Sequence, residues 1–422
     1  MTSLPSLLPD LKSLYEDLHS HPELSFTEHR TASVLAERLR KLGYEVTTGV
    51  GRTGVVAVLR NGPGPTVLMR ADIDALPVKE DTGLPYASTA KGIDPDGKEV
   101  PVAHACGHDM HATWLIGVAE MLADRRKTWS GTALLVFQPA EELGAGALAM
   151  INDKFFERFG TPMVALGQHV APMPAGKFFM RAGPVMAAND SVRIVLHGRG
   201  AHASTPEQSV DPIVMAASVI TKLQTIVSRQ IGAADSAVIT IGTVHAGLKE
   251  NIIPDRAELT LSIRTYDPAL RERVLEAIRR IVKGEADSAG APKAPEVTSM
   301  YAFPAVDNDA EATRKVSEAF VSQFGKERVL PAPVVMGSED FGIFGARGGF
   351  PSVFWFVGGA DPVTFAAAEK AGRITQDIPY NHSPHYAPVP KPTITAGVEA
   401  MMTAAMAWLG KMTPKRGGAS GE

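Results

Sequence analysis

The segment His104–His111, HACGHDMH, packs three histidines, the chain's single cysteine and Asp109 into one short stretch. Cys106 and His108 stand two apart, so an extended backbone aims both side chains the same way. A thiolate and an imidazole so placed chelate a borderline metal such as zinc. A small buried cysteine beside capping and surface histidines is the alternative, and the density of histidine weighs against it. PAEE, residues 139–142, sets two carboxylates just after the apolar run Leu134–Phe137. Adjacent side chains point apart, which suits one carboxylate to a metal and the other to general-base work. An acidic cap on the following GAGALAMI helix accounts for the same pair and stays open. RADIDALP, residues 70–77, brings Asp72 and Asp74 to the end of another apolar run, where capped turns are the plainer reading of each alone. His169 in GQHV ends a further run, His382 and His385 lie in NHSPHY, and His202 lies in GRGAHAS. Acids, imidazoles and a thiol delivered to one sheet edge form a buried cluster that is costly without a metal to compensate it.

The elements that position these residues are legible as patterns. Ser25 and Glu28 have capping-box spacing ahead of a helix over 25–42, with Gly43 as its stop. The runs Gly54–Leu59, Thr66–Met69, Ala133–Phe137 and Met163–Gly167 do not alternate with polar residues, as expected of strands buried on both faces. A helix over Asp109–Ala123 separates two of them, which predicts an α/β layer with a largely parallel sheet. Near residue 187 the texture changes. Strands over Ser191–Leu196, Ala237–Val244, Glu258–Thr265 and Glu296–Met300, with helices over Asp211–Arg229 and Pro268–Ala289, give the order βαββαβ. The alternation in several of these strands implies one open face, so a ferredoxin-like unit is inserted at 187–302 into a catalytic domain of 1–186 and 303–422. A helix over Ala310–Phe324, a strand over Ser352–Val357 and a helix over Thr393–Leu409 complete the first domain, and the tail KRGGASGE reads as disordered.

Bulk properties exclude several classes. The chain has 422 residues, long for one core, with 45% hydrophobic and 21% charged residues. A net charge of −4 offers no reason for nucleic acid or an anionic membrane as partner. No apolar run reaches the roughly eighteen residues of a membrane span. The first twenty residues lack the basic start and unbroken apolar stretch of a signal peptide, and one cysteine permits no internal disulfide, which together suggest a cytoplasmic protein.

HPELSFTEHRTA, RADIDALPV, HACGHDMH, FQPAEE, GQHV, GRGAHAS, NIIPDRAELTLSIRT, GSEDF and NHSPHY run in order from residue 21 to residue 386. In them the chain resembles the metallopeptidase family of aminoacylase, carboxypeptidase G and the hippurate and indoleacetyl-amino-acid hydrolases, and the hippurate branch most of all. The resemblance implies a binuclear centre of divalent ions, zinc or manganese with cobalt or nickel as alternatives, and an inserted lid that also forms a homodimer. It implies Cys106, His108, Glu142, His169 and His382 as metal ligands and Glu141 as general acid/base. It also implies that His202 reaches the partner subunit's active site and that Asn251 and Arg264 hold the substrate's carboxylate. Many relatives carry a His-x-Asp pair early in the chain; here that segment is RADID, with Arg70 in place of histidine. The implied reaction is hydrolysis of an N-acyl amino acid. A dipeptidase or carboxypeptidase on the same scaffold, and a metal-bound protein without hydrolytic activity, are the alternatives.

Overall fold

The computed structural model describes residues 3–410, so the tail predicted to be disordered lies outside the described residues. Before the insertion the chain forms six principal strands: β1 (Glu45–Val50), β2 (Gly54–Asn61), β3 (Thr66–Asp72), β4 (Gly131–Gln138), β5 (Val164–Pro174) and β6 (Phe178–Met180). The insertion contributes β7 (Ala188–His197), β8 (Ala237–Ala246), β9 (Arg256–Thr265) and β10 (Glu296–Phe303); β11 (Val329–Pro331) and β12 (Ser352–Ala360) follow. The long helices are α1 (Leu4–Ser20), α2 (His29–Lys41), α3 (His108–Asp124), α4 (Pro212–Thr225), α5 (Pro268–Ser288), α6 (Ala310–Phe324) and α7 (Pro390–Leu409).

The chain divides into two compact units, one of residues up to 185 with 307–333 and 340 onward, the other of 186–306 with 334–339. In the first, eight strands form one sheet in the order β1-β2-β4-β3-β5-β12-β6-β11. The four central strands β4, β3, β5 and β12 run parallel, as their unbroken apolar texture requires, while β1, β2 and the β12–β6 pair are antiparallel. Helix α3 is buried on every side from His108 to Ala119. Its length is fixed by close packing: a Cβ on Gly397 of α7 would come within 2.1 Å of the Trp114 ring, and Trp114 Nε1 donates to the Thr393 carbonyl at 2.8 Å. The helix that begins at the histidine-rich segment is thereby locked into the core.

The second unit is a four-stranded antiparallel sheet in the order β8-β9-β7-β10, which is the ferredoxin-like arrangement expected. Buried and part-buried residues alternate along β9, and α4 and α5 cover the inward face through Met215, Val219, Leu223, Val274 and Ile278.

One local expectation is corrected. Helix α2 starts at His29, and Ser25 and Glu28 do not form a capping box. The Glu23 carboxylate takes the backbone N–H groups of Arg30 and Thr31 at 2.9 and 2.8 Å, a stronger charged cap at the helix's positive end. Ser25 instead donates to Asp74 at 2.6 Å, and Glu28 is buried with one carboxylate oxygen on Thr53 and the other accepting Ala140 N–H at 2.9 Å.

Candidate metal centre

Strands β3 and β4 deliver their last residues to one edge of the sheet, and β5 runs past its β3 neighbour after Gly167. His169 therefore lies within β5, paired to β12 at Phe356 but beyond the reach of β3, rather than at the strand's end as expected. Cys106 and His108 converge by a different route from the extended one. Residues 105–106 form a turn, Gly107 takes φ of 86°, and His108 opens α3. A Cβ on Gly107 would meet Val170 Cγ1 at 2.5 Å, so both the turn and the approach to β5 call for glycine there.

The PAEE segment also leaves the extended form. Ala140 sits at φ of 48°, held by its N–H bond to Glu28, and Gly146 tucks so close that a Cβ would lie 1.6 Å from the Pro139 carbonyl oxygen. The turn bends both glutamates onto one imidazole: Glu141 Oε2 and Glu142 Oε1 lie 3.9 and 3.8 Å from His108 Nε2. The expected divergence of adjacent side chains fails because the backbone is not a strand here. The helix that follows starts at Gly146 with no side-chain cap, so neither glutamate serves as its cap.

Six of the predicted residues come together in the first unit, Glu141 among them through its 3.9 Å approach to His108. Cys106 Sγ is 3.5 Å from His169 Nε2, Cys106, His108 and Glu142 place their donor atoms within 4.8 Å of one another, and His382 Nε2 is 3.4 Å from Glu142 Oε2. His382 adopts φ of 72° and its N–H donates to the Ala105 carbonyl at 2.7 Å, tying its loop to the cysteine turn. The other three predicted residues, His202, Asn251 and Arg264, belong to the second unit. His202 is exposed, the Asn251 carbonyl accepts Ala203 N–H at 3.1 Å, and Arg264 is half-buried beside Ser262 and Ser338. His385 is exposed and donates to the Asp81 carbonyl at 2.6 Å, away from the donor set.

Hydrogen bonds settle which ring atoms face the centre. His108 Nδ1 donates to the Asp74 carbonyl at 2.9 Å and His169 Nδ1 donates to the Val170 carbonyl at 2.7 Å. Each ring is left with an Nε2 lone pair turned inward. His108 Nε2 and Glu142 Oε1 are buried with no hydrogen-bond partner, a cost that a cation would remove. His111 is excluded as a ligand on the same reasoning: its Nδ1 meets Asp72 Oδ1 at 2.5 Å and its Nε2 accepts Val170 N–H at 2.9 Å.

The electrostatics agree. Burial, with Glu142 alongside, pushes the Cys106 thiol well above its ordinary value, and burial pushes the Glu142 carboxyl up to about 7. Burial and the neighbouring His111 hold His169 well below the usual imidazole range, so it is a neutral donor. Burial is the largest influence on His108 and opposes its charge, but Asp72, Cys106 and Asp74 together outweigh it and raise this imidazole. A divalent ion supplies the positive charge that would ionise the thiol and displace these protons. Thiol, imidazole and carboxylate donors together suit zinc and other borderline divalent ions.

Two supporting residues lie in motifs noted in the sequence, where no role was assigned to them. Asn381 donates to the Cys106 carbonyl at 3.0 Å and lies 3.8 Å from its sulfur. Arg70 donates to Asp72 at 2.6 Å, Gln138 at 2.9 Å and Asp340 at 3.1 Å. Its role is to hold Asp72, and through it His111, rather than to bind metal.

Comparison with known proteins places this geometry. Residues 68–374, more than half of the chain, match the model of peptidase family M20/M25/M40. The chain is 40% identical over 351 residues to hippurate hydrolase of Campylobacter jejuni, covering 82% of this chain and 88% of that one. It is 39% identical over 347 residues to thermostable carboxypeptidase 1 of Saccharolobus solfataricus, covering 81% and 84%. Among solved structures it is similar to a dinuclear metal-binding M20 peptidase of Bacillus subtilis, with a TM-score of 0.76, 30% identity and coverage of 96% and 99%. The fold is that of the M20 peptidases, and the buried donor set offers ligands for divalent metal. The chain belongs to the M20/M25/M40 peptidase family and is an amidohydrolase.

Chelator-treated protein is expected to lose activity and to regain it with zinc, manganese or cobalt. Cys106→Ala and Asn381→Ala should each weaken metal binding, the second by about 10–100-fold, as for other residues that orient a ligand. Full turnover by protein shown metal-free by elemental analysis would refute the centre.

Proposed function

We propose that the protein hydrolyses the amide bond of N-acyl amino acids, hippurate-like or N-acetyl, at a centre of two divalent ions held by Cys106, His108, Glu142, His169 and His382. The observation that carries this reading is the partnerless, buried His108 Nε2 with both PAEE carboxylates within 4 Å of it. Zinc fits the thiolate best, with manganese, cobalt and nickel as alternatives. When bound, such an ion supplies Lewis acidity and lets a water ionise near neutral pH. Glu141 takes a proton from the attacking water and returns one to the leaving amine. His202 donates to the carbonyl oxygen as it becomes negative. Its tautomer suits that task, because Nδ1 accepts Ser204 N–H at 3.1 Å and the neutral ring therefore carries its proton on Nε2.

The second unit supports recognition of a free carboxylate. Arg264 is half-buried, and it has no acidic partner among the described residues, so its charge is available to a ligand; Asn251 adds a neutral donor. A homodimer is supported by the edge strand β8 and by the exposed Val244, Leu248 and Ile252 near it. Among the described residues no helix is long and apolar enough to cross a membrane. That fact and the lone Cys106 fit a cytoplasmic setting. A metallocarboxypeptidase acting on peptides is the second reading, favoured by the carboxypeptidase relative.

A panel of N-acetyl, N-benzoyl and long-chain N-acyl amino acids beside dipeptides separates the two readings. Glu141→Gln should keep its metal and lose about 10²–10⁴-fold in kcat, whereas Glu142→Gln should also lose metal. If both variants keep metal and activity, the roles given to PAEE are wrong.

Arg264→Ala should impair free-acid substrates far more than the corresponding amides, by roughly 1.5–3 kcal/mol in kcat/KM. An equal loss on acids and amides would remove Arg264 from the carboxylate site.

Mixing the nearly inactive His202→Ala and Glu141→Ala proteins, with subunit exchange verified by native mass spectrometry, should restore about a quarter of wild-type activity. Half of the random dimers are mixed, and each mixed dimer has one intact site. No recovery after verified exchange would show that His202 does not act across a dimer.

A further inference from the structure

His19, in the last turn of α1, is buried between two carboxylates. Its Nδ1 lies 2.6 Å from Asp109 Oδ2 and its Nε2 lies 3.0 Å from Glu80 Oε1. Both nitrogens face acceptors, so the ring donates twice and is an imidazolium. Burial works against that charge, but the Asp109 and Glu80 carboxylates overcome it and push the imidazole up to about 10. The rings of Tyr15 and Tyr86 pack at 5.6 and 5.3 Å and enclose the group.

The two carboxylates belong to segments that lead to different parts of the candidate centre. Asp109 directly follows His108 and takes Met110 N–H at 2.8 Å, so it fixes the first turn of α3. Glu80 binds Ser88 N–H at 2.6 Å and the Thr82 hydroxyl, which folds the 80–88 loop around it. The next residue, Asp81, donates its N–H to the Pro384 carbonyl at 2.8 Å and accepts from His385 Nδ1 at 2.6 Å. Pro384 and His385 flank the turn that carries His382. His19 thus stands at the junction of a chain of contacts running from the Cys106–His108 turn to the His382 loop.

Stability alone does not call for such a cluster. Buried ion groups of this kind are often replaceable by apolar residues at no loss, because desolvation offsets their attraction. Fixed geometry is what a charged, two-sided clamp supplies and an apolar contact does not. We propose that His19 is a positioning residue for the metal centre, a buried clamp that sets the spacing between the turn carrying Cys106 and His108 and the loop carrying His382. This rests on the metal ligands assigned above. His19 touches none of them.

The test is zinc affinity, measured on full-length protein by competition with a chromophoric chelator. His19→Asn breaks the two-sided bridge, and Glu80→Gln keeps size while removing one charge, so it reports even if the first variant folds poorly. Tyr44→Phe is the control, because it removes a 3.0 Å bond to the Ala119 carbonyl near the other end of α3 without touching the clamp. Zinc binding should weaken about 10–100-fold in His19→Asn and Glu80→Gln and stay at the wild-type value in Tyr44→Phe. Wild-type affinity in both clamp variants, or an equal loss in Tyr44→Phe, would overturn the proposal. Absence of zinc binding by the wild-type protein would instead overturn the metal centre itself, and the clamp with it.

Discussion

Two main-chain carbonyls, those of Asp74 and Val170, accept the Nδ1 protons of His108 and His169 and so turn both Nε2 atoms toward one buried point. Much of the surrounding structure serves that orientation. Asp74 is itself held by Ser25 and by the backbone N–H of Glu142, at 2.6 and 3.1 Å. Val170 is held by His111 through its N–H at 2.9 Å, and His111 is held by Asp72, which Arg70 pins in turn. The result is a set of polar groups whose outer partners are satisfied while His108 Nε2 and Glu142 Oε1, on the inner side, have none. In a medium of low polarity that arrangement is costly unless a cation completes it.

The backbone contributes as much as the side chains. Three segments leave regular structure where donors or carboxylates are aimed: the Gly107 turn, Ala140 at φ of 48° and His382 at φ of 72°. Non-glycine residues rarely occupy this region, and doing so costs of order 1–3 kcal/mol. Each strained point is braced, by Glu28 at Ala140 and by the Ala105 carbonyl at His382. Rigid placement of donors before any ion arrives is what allows a site to select geometry rather than adapt to it.

Much of this was legible in the sequence, and the reasons for the rest are physical. Strand texture and helix periodicity are local, so β4, α3 and α6 were readable from their own residues, and the βαββαβ order of the second unit followed from alternation. The cluster of donor types at apolar run ends marked the first unit's centre for the same reason. The extended reading of Cys106–His108 and of PAEE failed because single turns at Gly107 and Ala140 redirect side chains, which hydrophobic pattern does not record. Asn381, which meets Cys106 across 275 residues of chain, and His19, which meets Asp109 across 90, are polar contacts made only on folding. The capping-box reading of Ser25 and Glu28 failed similarly, since distant Asp74 and Ala140 claimed those side chains and Glu23 capped the helix.

The central claim is that Cys106 and the inward Nε2 atoms of His108 and His169 bind the same small cluster of ions. X-ray absorption at the zinc edge of the reconstituted protein measures this directly. The structure predicts a sulfur neighbour at about 2.3 Å together with nitrogen and oxygen neighbours at about 2.0–2.2 Å, the sulfur signal vanishing in Cys106→Ala. A spectrum of nitrogen and oxygen neighbours alone in the wild-type protein would contradict it.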